Sequence, residues 1–156
     1  MTTPAKRDTQ SSKGDIALIV GGGPGISSSC ARLFAKNGMS IGVAARNPDK
    51  PVLQNLEETL GVRRYACDAS EPAAVESLFQ NVVRDLGAPT LVVHNIDGRV
   101  PGIFRKGITE ADPAGTTVDD NMADPDRIAE TYLQLHRQHR STWTFEVVLR
   151  PWSERW

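Results

Sequence analysis

The sequence predicts an α/β fold, a three-layer domain built on a parallel sheet. Three observations carry that expectation. Strand-like and helix-like apolar patterns alternate from residue 15 to residue 95, the connections between them are short, and the first strand runs into a glycine turn, Gly21 to Gly25, that opens a helix. With 156 residues, 39% hydrophobic and 24% charged, the chain has the size and composition of one globular domain.

The elements follow in order. Asp15 to Val20 is a short apolar run that ends in the glycine turn, as a buried strand does. Ile26, Cys30, Leu33 and Phe34 then recur at helical spacing, and Asn37-Gly38 closes that helix. Ser40 to Ala45 is the second strand, followed by Asn47-Pro48. Leu53, Leu56 and Leu60 form a helical stripe that stops at Gly61, and Val62 to Cys67 is the third strand. Ser70 is placed as an N-cap, with Glu71 and Pro72 in the first turn. Val75, Leu78, Phe79, Val82 and Leu86 give the longest amphipathic stripe, ended by Gly87, and Thr90 to His94 is the fourth strand. This alternation implies right-handed crossovers between parallel strands.

The remainder is less regular. Residues 1–14 are polar and read as a disordered tail, in which Lys6, Arg7 and Lys13 faintly echo a targeting peptide; no apolar stretch follows to make a secretory signal. Residues 15–150 form the single domain, with 15–95 as its nucleotide-binding half. Residues 96–123, with Gly98, Pro101, Gly102, Gly107, Pro113 and Gly115, read as a long loop. Asp124-Pro125 starts a last helix whose buried face is marked by Ile128, Tyr132 and Leu135. Trp143 to Leu149 alternates as a last strand, and residues 151–156 are a short tail.

Composition excludes several classes of function. A net charge of −1 gives no broad attraction to nucleic acid or to an anionic membrane, and no apolar run is long enough to span a bilayer. Cys30 and Cys67 lack paired spacing and read as reduced, half-buried thiols of a cytoplasmic protein. His94, His136 and His139 lack metal-ligand spacing, so no metal is expected.

The glycine turn carries the functional signal. A phosphate needs unblocked backbone N–H groups and a close approach, and glycines at a helix N-terminus supply both. Gly21, Gly23, Gly25 and Ile26 are therefore the candidate contacts, in the setting of a Rossmann-type fold. A plain strand-to-helix turn is the alternative. About twenty residues on, where NAD-binding folds place a ribose-binding acid, the second strand ends in Ala45-Arg46. An arginine there favours a 2′-phosphate through charge-assisted hydrogen bonds, which points to NADP(H); the other reading of Arg46 is a solvated surface residue. Asp68, after the third strand, suits the adenine amino group and equally suits a cap on the following turn.

These residues together resemble the short-chain dehydrogenase/reductase family. Gly21 and Gly25 match its Gly-x-x-x-Gly-x-Gly turn, with Ser27 in place of the third glycine. Ala45-Arg46 is similar to the NADP-preferring strand end, and Cys67-Asp68 to the adenine-side aspartate. His94-Asn95 resembles the start of the Asn-Asn-Ala-Gly motif, with Asn95 as its second asparagine. Asp97 to Val100 is similar to the Pro-Gly-x-Val turn, and residues 124–150 to the family's last helix and strand. The resemblance implies NADP(H) as cofactor, a carbonyl or alcohol substrate, and an oligomer built through the last strand, with Trp143, Trp152 and Trp156 as core or interface residues.

The family's central segment has no counterpart. Its catalytic Ser and Tyr-x-x-x-Lys pair are missing: Tyr65 is followed four residues on by Ala69, and Tyr132 by His136. No catalytic residue is assigned by motif; Tyr132 or His136 could substitute only if the last helix borders the nicotinamide site. The family's strand order 3-2-1-4-5-6-7 would contract to 3-2-1-4-7. Three functions fit these residues: an NADP(H)-binding reductase relative, a non-catalytic nucleotide-binding or oligomerising module, and a truncated product of a longer reductase gene.

Overall fold

The computed structural model describes residues 14–96 and 123–151. Four parallel strands form its sheet: β1 (Ile16–Val20), β2 (Ser40–Ala45), β3 (Arg63–Ala66) and β4 (Leu91–His94), in the order β3-β2-β1-β4. Among the described residues four helices flank it: α1 (Ile26–Lys36), α2 (Pro51–Leu60), α3 (Pro72–Asp85) and α4 (Pro125–Arg137).

The side-chain alternation of β1 divides the core into two layers. Ala17 and Ile19 face α1, α2 and α4, where they meet Phe34, Leu53, Leu56, Ala129 and Leu133. Leu18 and Val20 face α3, where they meet Tyr65, Leu78 and Val82. Helices on both faces explain why all five residues of β1 are buried and apolar. The expected α/β three-layer arrangement is the one observed.

Local chemistry sets the helix ends. Proline occupies the first turn of α2, α3 and α4, where its missing N–H costs no helical bond. Asp124 caps α4 by accepting from the Asp126 amide, as the sequence suggests. The cap of α3 is Glu71 rather than Ser70, because Ser70 is engaged with Asp68 in the turn before it. Gly61 ends α2 in the left-handed region at φ 68°, its N–H bonded to Glu57 O.

Helix α4 runs alongside α1. Arg32 meets Asp126 at 3.5 Å near one end, and Arg137 donates to Asn37 Oδ1 at 2.6 Å at the other. The centre of its buried face is Ala129 and Leu133, with Ile128, Tyr132 and Leu135 half-buried beside them. Apolar size alone pointed to the flanks of this face; a small residue at the centre lets the helices approach closely. Both cysteines are buried rather than half-buried, and burial pushes the Cys30 thiol up to about 12.

The expected last strand is not formed. Residues 143–149 are irregular, with Trp143 75% and Phe145 100% exposed, so among the described residues the sheet ends at β4 and the order 3-2-1-4-7 is corrected to 3-2-1-4. Two local causes are visible. The Gln138 carboxamide donates to Thr144 Oγ1 at 2.6 Å and accepts from the Thr144 N–H at 2.8 Å, which takes up a backbone donor a ladder would use. On the α3 side of β4, Val92 is already 45% exposed, so a strand added there would gain little cover. The tail 1–14, the loop 96–123 and the tail 151–156 fall, apart from Gly14, Ile96, Ala123 and Pro151, outside the described residues.

Two substitutions separate core from surface here. Phe34→Ala is expected to lower unfolding free energy by about 3–5 kcal/mol in chemical denaturation, because the ring is fully buried. Phe145→Ser is expected to change it by less than about 0.5 kcal/mol; a large loss would mean that 143–149 is paired in solution.

Candidate nucleotide site

Parallel pairing aligns the carboxyl ends of the four strands along one edge. Val20 lies beside Ala44 and His94, and Ala45 beside Ala66. Such an edge, next to a strand-to-helix turn, is where open α/β sheets bind ligands. The turn Gly21–Gly25 leaves β1 there and enters α1.

The turn is held from within. The N–H groups of Gly21 and Gly22 both donate to Ala44 O at 2.9 Å. Gly21 has φ 103°, and a side chain on it would overlap the Asn95 carbonyl. Three consecutive carbonyls then accept from side chains: Gly21 O from Ser27 Oγ at 2.8 Å, Gly22 O from Lys50 Nζ at 3.0 Å, and Gly23 O from Ser28 Oγ at 2.6 Å. Asn95 closes the ring. Its N–H donates to Val20 O at 2.8 Å and its Nδ2 to Ser27 Oγ at 2.9 Å.

With its carbonyls engaged, the turn presents its amides. Among the described residues, the N–H groups of Gly23, Gly25 and Ile26 have no acceptor, and no side chain caps α1. A Cβ at Gly23 or Gly25 would meet no atom of the described residues within 4 Å, so among them this side of the turn is open. At Gly22 the reverse holds: a Cβ would lie 2.7 Å from Val43 Cγ1 and 3.0 Å from Leu53 Cδ1. The turn is tight toward the core and bare toward the edge. Partial positive charge at a helix N-terminus makes such a surface attractive to an anion.

Arg46 and Asp68 complete the edge. Arg46 follows β2, is exposed, and has no ion pair among the described residues. Asp68 Oδ1 accepts from the Ser70 N–H at 3.0 Å and the Ser70 hydroxyl at 2.7 Å. Those bonds hold its carboxyl below the usual range, and the Arg46 charge adds to them. Asp68 is therefore a cap on its own turn, the local role the sequence allowed. Gly21, Gly23, Gly25, Ile26, Arg46, Asp68 and Asn95 all lie along this one edge.

The tyrosines lie elsewhere. Tyr65 Oη donates to Asp85 Oδ2 at 3.3 Å, at the far end of α3. Tyr132 packs against the core cluster that contains Cys30, where burial raises its hydroxyl pKa. His136 Nε2 is 3.4 Å from Asp15 Oδ2, at the amino end of β1. The last helix thus borders α1 and not the carboxyl edge, which removes Tyr132 and His136 as substitute acids. Among the described residues, no group of three or more His, Cys, Asp or Glu is placed to hold a metal, and no helix is long and apolar enough to cross a membrane.

Residues 21–119 match a family model described as "Enoyl-(Acyl carrier protein) reductase". The chain belongs to the short-chain dehydrogenase/reductase family. This short-chain dehydrogenase/reductase relative is 34% identical over 92 residues to a probable 2,4-dienoyl-CoA reductase of Caenorhabditis elegans, covering 55% of this chain and 29% of that protein. It is 29% identical over 102 residues to an uncharacterized oxidoreductase of Thermotoga maritima, covering 63% of this chain and 40% of that one. The chain thus spans about a third of the length of these curated relatives. A double variant of a short-chain dehydrogenase/reductase from Serratia marcescens superposes with a TM-score of 0.51 at 17% identity, over 56% of this chain and 37% of that one, which shows the shared fold. Members of the family use a nicotinamide dinucleotide and act on carbonyl or alcohol substrates.

Sequence reasoning found the glycines and missed what holds them. In the sequence Ser27 is only the residue that stands in place of a third glycine, whereas its hydroxyl ties Gly21 to Asn95. Ser28 and Lys50 carried no signal beyond their nearness to the turn.

Ser27→Ala and Asn95→Ala are each expected to destabilise the fold by about 1–3 kcal/mol, since each leaves a polar partner unmet. The double variant is expected to cost less than the sum, because the two groups share one bond. Chemical denaturation of the four proteins of this cycle is the measurement.

Proposed function

We propose that this chain binds NADP(H) at the carboxyl edge and does not by itself transfer hydride by the family's usual route. The carrying observation is the glycine turn, whose carbonyls are tied inward while the amides of Gly23, Gly25 and Ile26 are left free. The pyrophosphate fits those amides, where side chains would block its approach. Arg46 supports a 2′-phosphate, and the end of β2 carries no carboxylate to repel one. Asp68 keeps Oδ2 available toward an adenine amino group, and Asn95 stands where the edge continues past β4.

Bound, the nicotinamide group would supply or accept hydride. That chemistry also needs a proton partner within reach of the substrate oxygen. Neither tyrosine of this chain precedes a lysine by four residues, and neither hydroxyl lies at the carboxyl edge. Fold alone does not confer the activity. The reading is therefore an NADP(H)-binding member of an oxidoreductase family, active in a water-filled compartment such as the cytoplasm, with no nucleic-acid or membrane partner and no catalytic residue of its own assigned.

Titration with NADPH and NADH, followed by nucleotide fluorescence, tests this. NADPH is expected to bind more tightly, and Arg46→Ala to weaken it by roughly tenfold to a hundredfold, as the loss of hydrogen bonds to a charged group does. NADPH mixed with simple aldehydes and ketones is expected to persist unoxidised. Equal affinity for the two nucleotides, or binding of neither, contradicts the cofactor assignment; steady oxidation contradicts the absence of catalysis.

A further inference from the structure

Lys50 is the N-cap residue of α2, and its ammonium reaches back to the glycine turn, donating to Gly22 O at 3.0 Å. An ammonium has three donors, and this bond occupies one. Among the described residues, no carboxylate pairs with Lys50.

The surrounding loop explains why the charge is left over. Between Arg46 and Lys50 the only acid is Asp49. Its carboxylate is turned away, 2.9 Å from Arg64 Nη1. Arg64, on β3, also donates to Pro48 O at 2.9 Å and through Nε to Glu57 Oε2 at 2.8 Å. Asn47 Oδ1 accepts from the Asp49 N–H at 2.9 Å. The loop is thus pinned to β3 on one side and to the glycine turn on the other, and its one carboxylate is held by Arg64, which also pairs with Glu57. Arg46 and Lys50, neither in an ion pair among the described residues, stand at its two ends, Lys50 against the turn.

We propose that Lys50 is a second cationic ligand for the adenosine 2′-phosphate, acting with Arg46; the assignment rests on the NADP(H) reading above. The Gly22 bond fixes where the ammonium sits, so binding costs less side-chain freedom than it would for a free lysine. Two N–H donors remain for phosphate oxygens. The same bond sets the turn itself. In a trans peptide the C=O and N–H point in opposite directions, so holding Gly22 O toward Lys50 turns the Gly23 N–H away from it. Lys50 therefore joins the two parts of the nucleotide site, the free amides and the phosphate-selecting loop.

The test compares the full chain with Lys50→Gln and Lys50→Arg, titrated with NADPH, NADH, 2′-AMP and 5′-AMP. Lys50→Gln is expected to weaken NADPH and 2′-AMP by roughly tenfold to a hundredfold more than it weakens NADH and 5′-AMP, as the loss of a charged hydrogen bond to one phosphate does. Lys50→Arg is expected to retain most of the preference for the 2′-phosphate. Equal weakening of all four ligands overturns the proposal, because a residue that only shapes the turn would not discriminate between them. Unchanged NADPH affinity overturns it as well. A wild-type chain that prefers NADPH while Lys50→Gln does neither harm nor good to that preference leaves the cofactor reading standing and removes Lys50 alone; a wild-type chain with no preference removes both.

Discussion

The close approach of Gly21 to Asn95 is the contact on which the rest of the site depends. At that point the ends of β1 and β4 and the start of α1 come together, and a side chain on Gly21 would overlap the Asn95 carbonyl. The missing side chain lets Asn95 bond to Val20 O through its backbone and to Ser27 through its carboxamide. Ser27 in turn holds Gly21 O. Strand, turn and helix are thus locked by one small polar network, and the direction in which the free amides point is a consequence of it. Such networks are sensitive to the loss of any member, because each group left unpaired in a part-buried place is costly.

The two layers of the core explain what supports the site among the described residues. Helices α1, α2 and α4 cover one face of the sheet and α3 covers the other, and the glycine turn sits above the well-covered strands β1 and β2. The nucleotide half is thus covered on one face partly by α4, from outside residues 15–95. The β4 side is less covered. Val92 and Ile96 are exposed there, and among the described residues no further strand follows β4 in the sheet. A cofactor edge of this kind holds a dinucleotide by its adenosine and phosphates. Proton transfer needs groups that the described residues do not bring to the edge.

Much of this was legible in the sequence. The fold class, the eight expected strands and helices up to α4 and the glycine turn all rest on local periodicity and turn chemistry, which a single segment carries by itself. Most of what failed depends on partners distant in sequence. Trp143 to Leu149 alternates as a strand should, yet a strand needs a neighbour to pair with and a covered face, and neither need is written in the segment. The cap at Ser70 was displaced to Glu71 because Asp68 claims the serine hydroxyl. Lys50 and Arg64 look like ordinary surface cations until parallel pairing of β2 and β3 brings Arg64 to the Asp49 loop and the fold brings Lys50 to Gly22. For Asp68 the sequence left a turn cap and an adenine contact open, and the cap is the role its hydrogen bonds fill.

The central claim is that the bare amides of the glycine turn face an anion site. Amide-resolved proton–nitrogen NMR of the labelled chain during an NADPH titration tests it most directly. The resonances of Gly23, Gly25 and Ile26 are expected to shift furthest, since those N–H groups gain acceptors they lack without ligand. Binding of NADPH that leaves those three unmoved, with the shifts gathered elsewhere on the molecule, would contradict it.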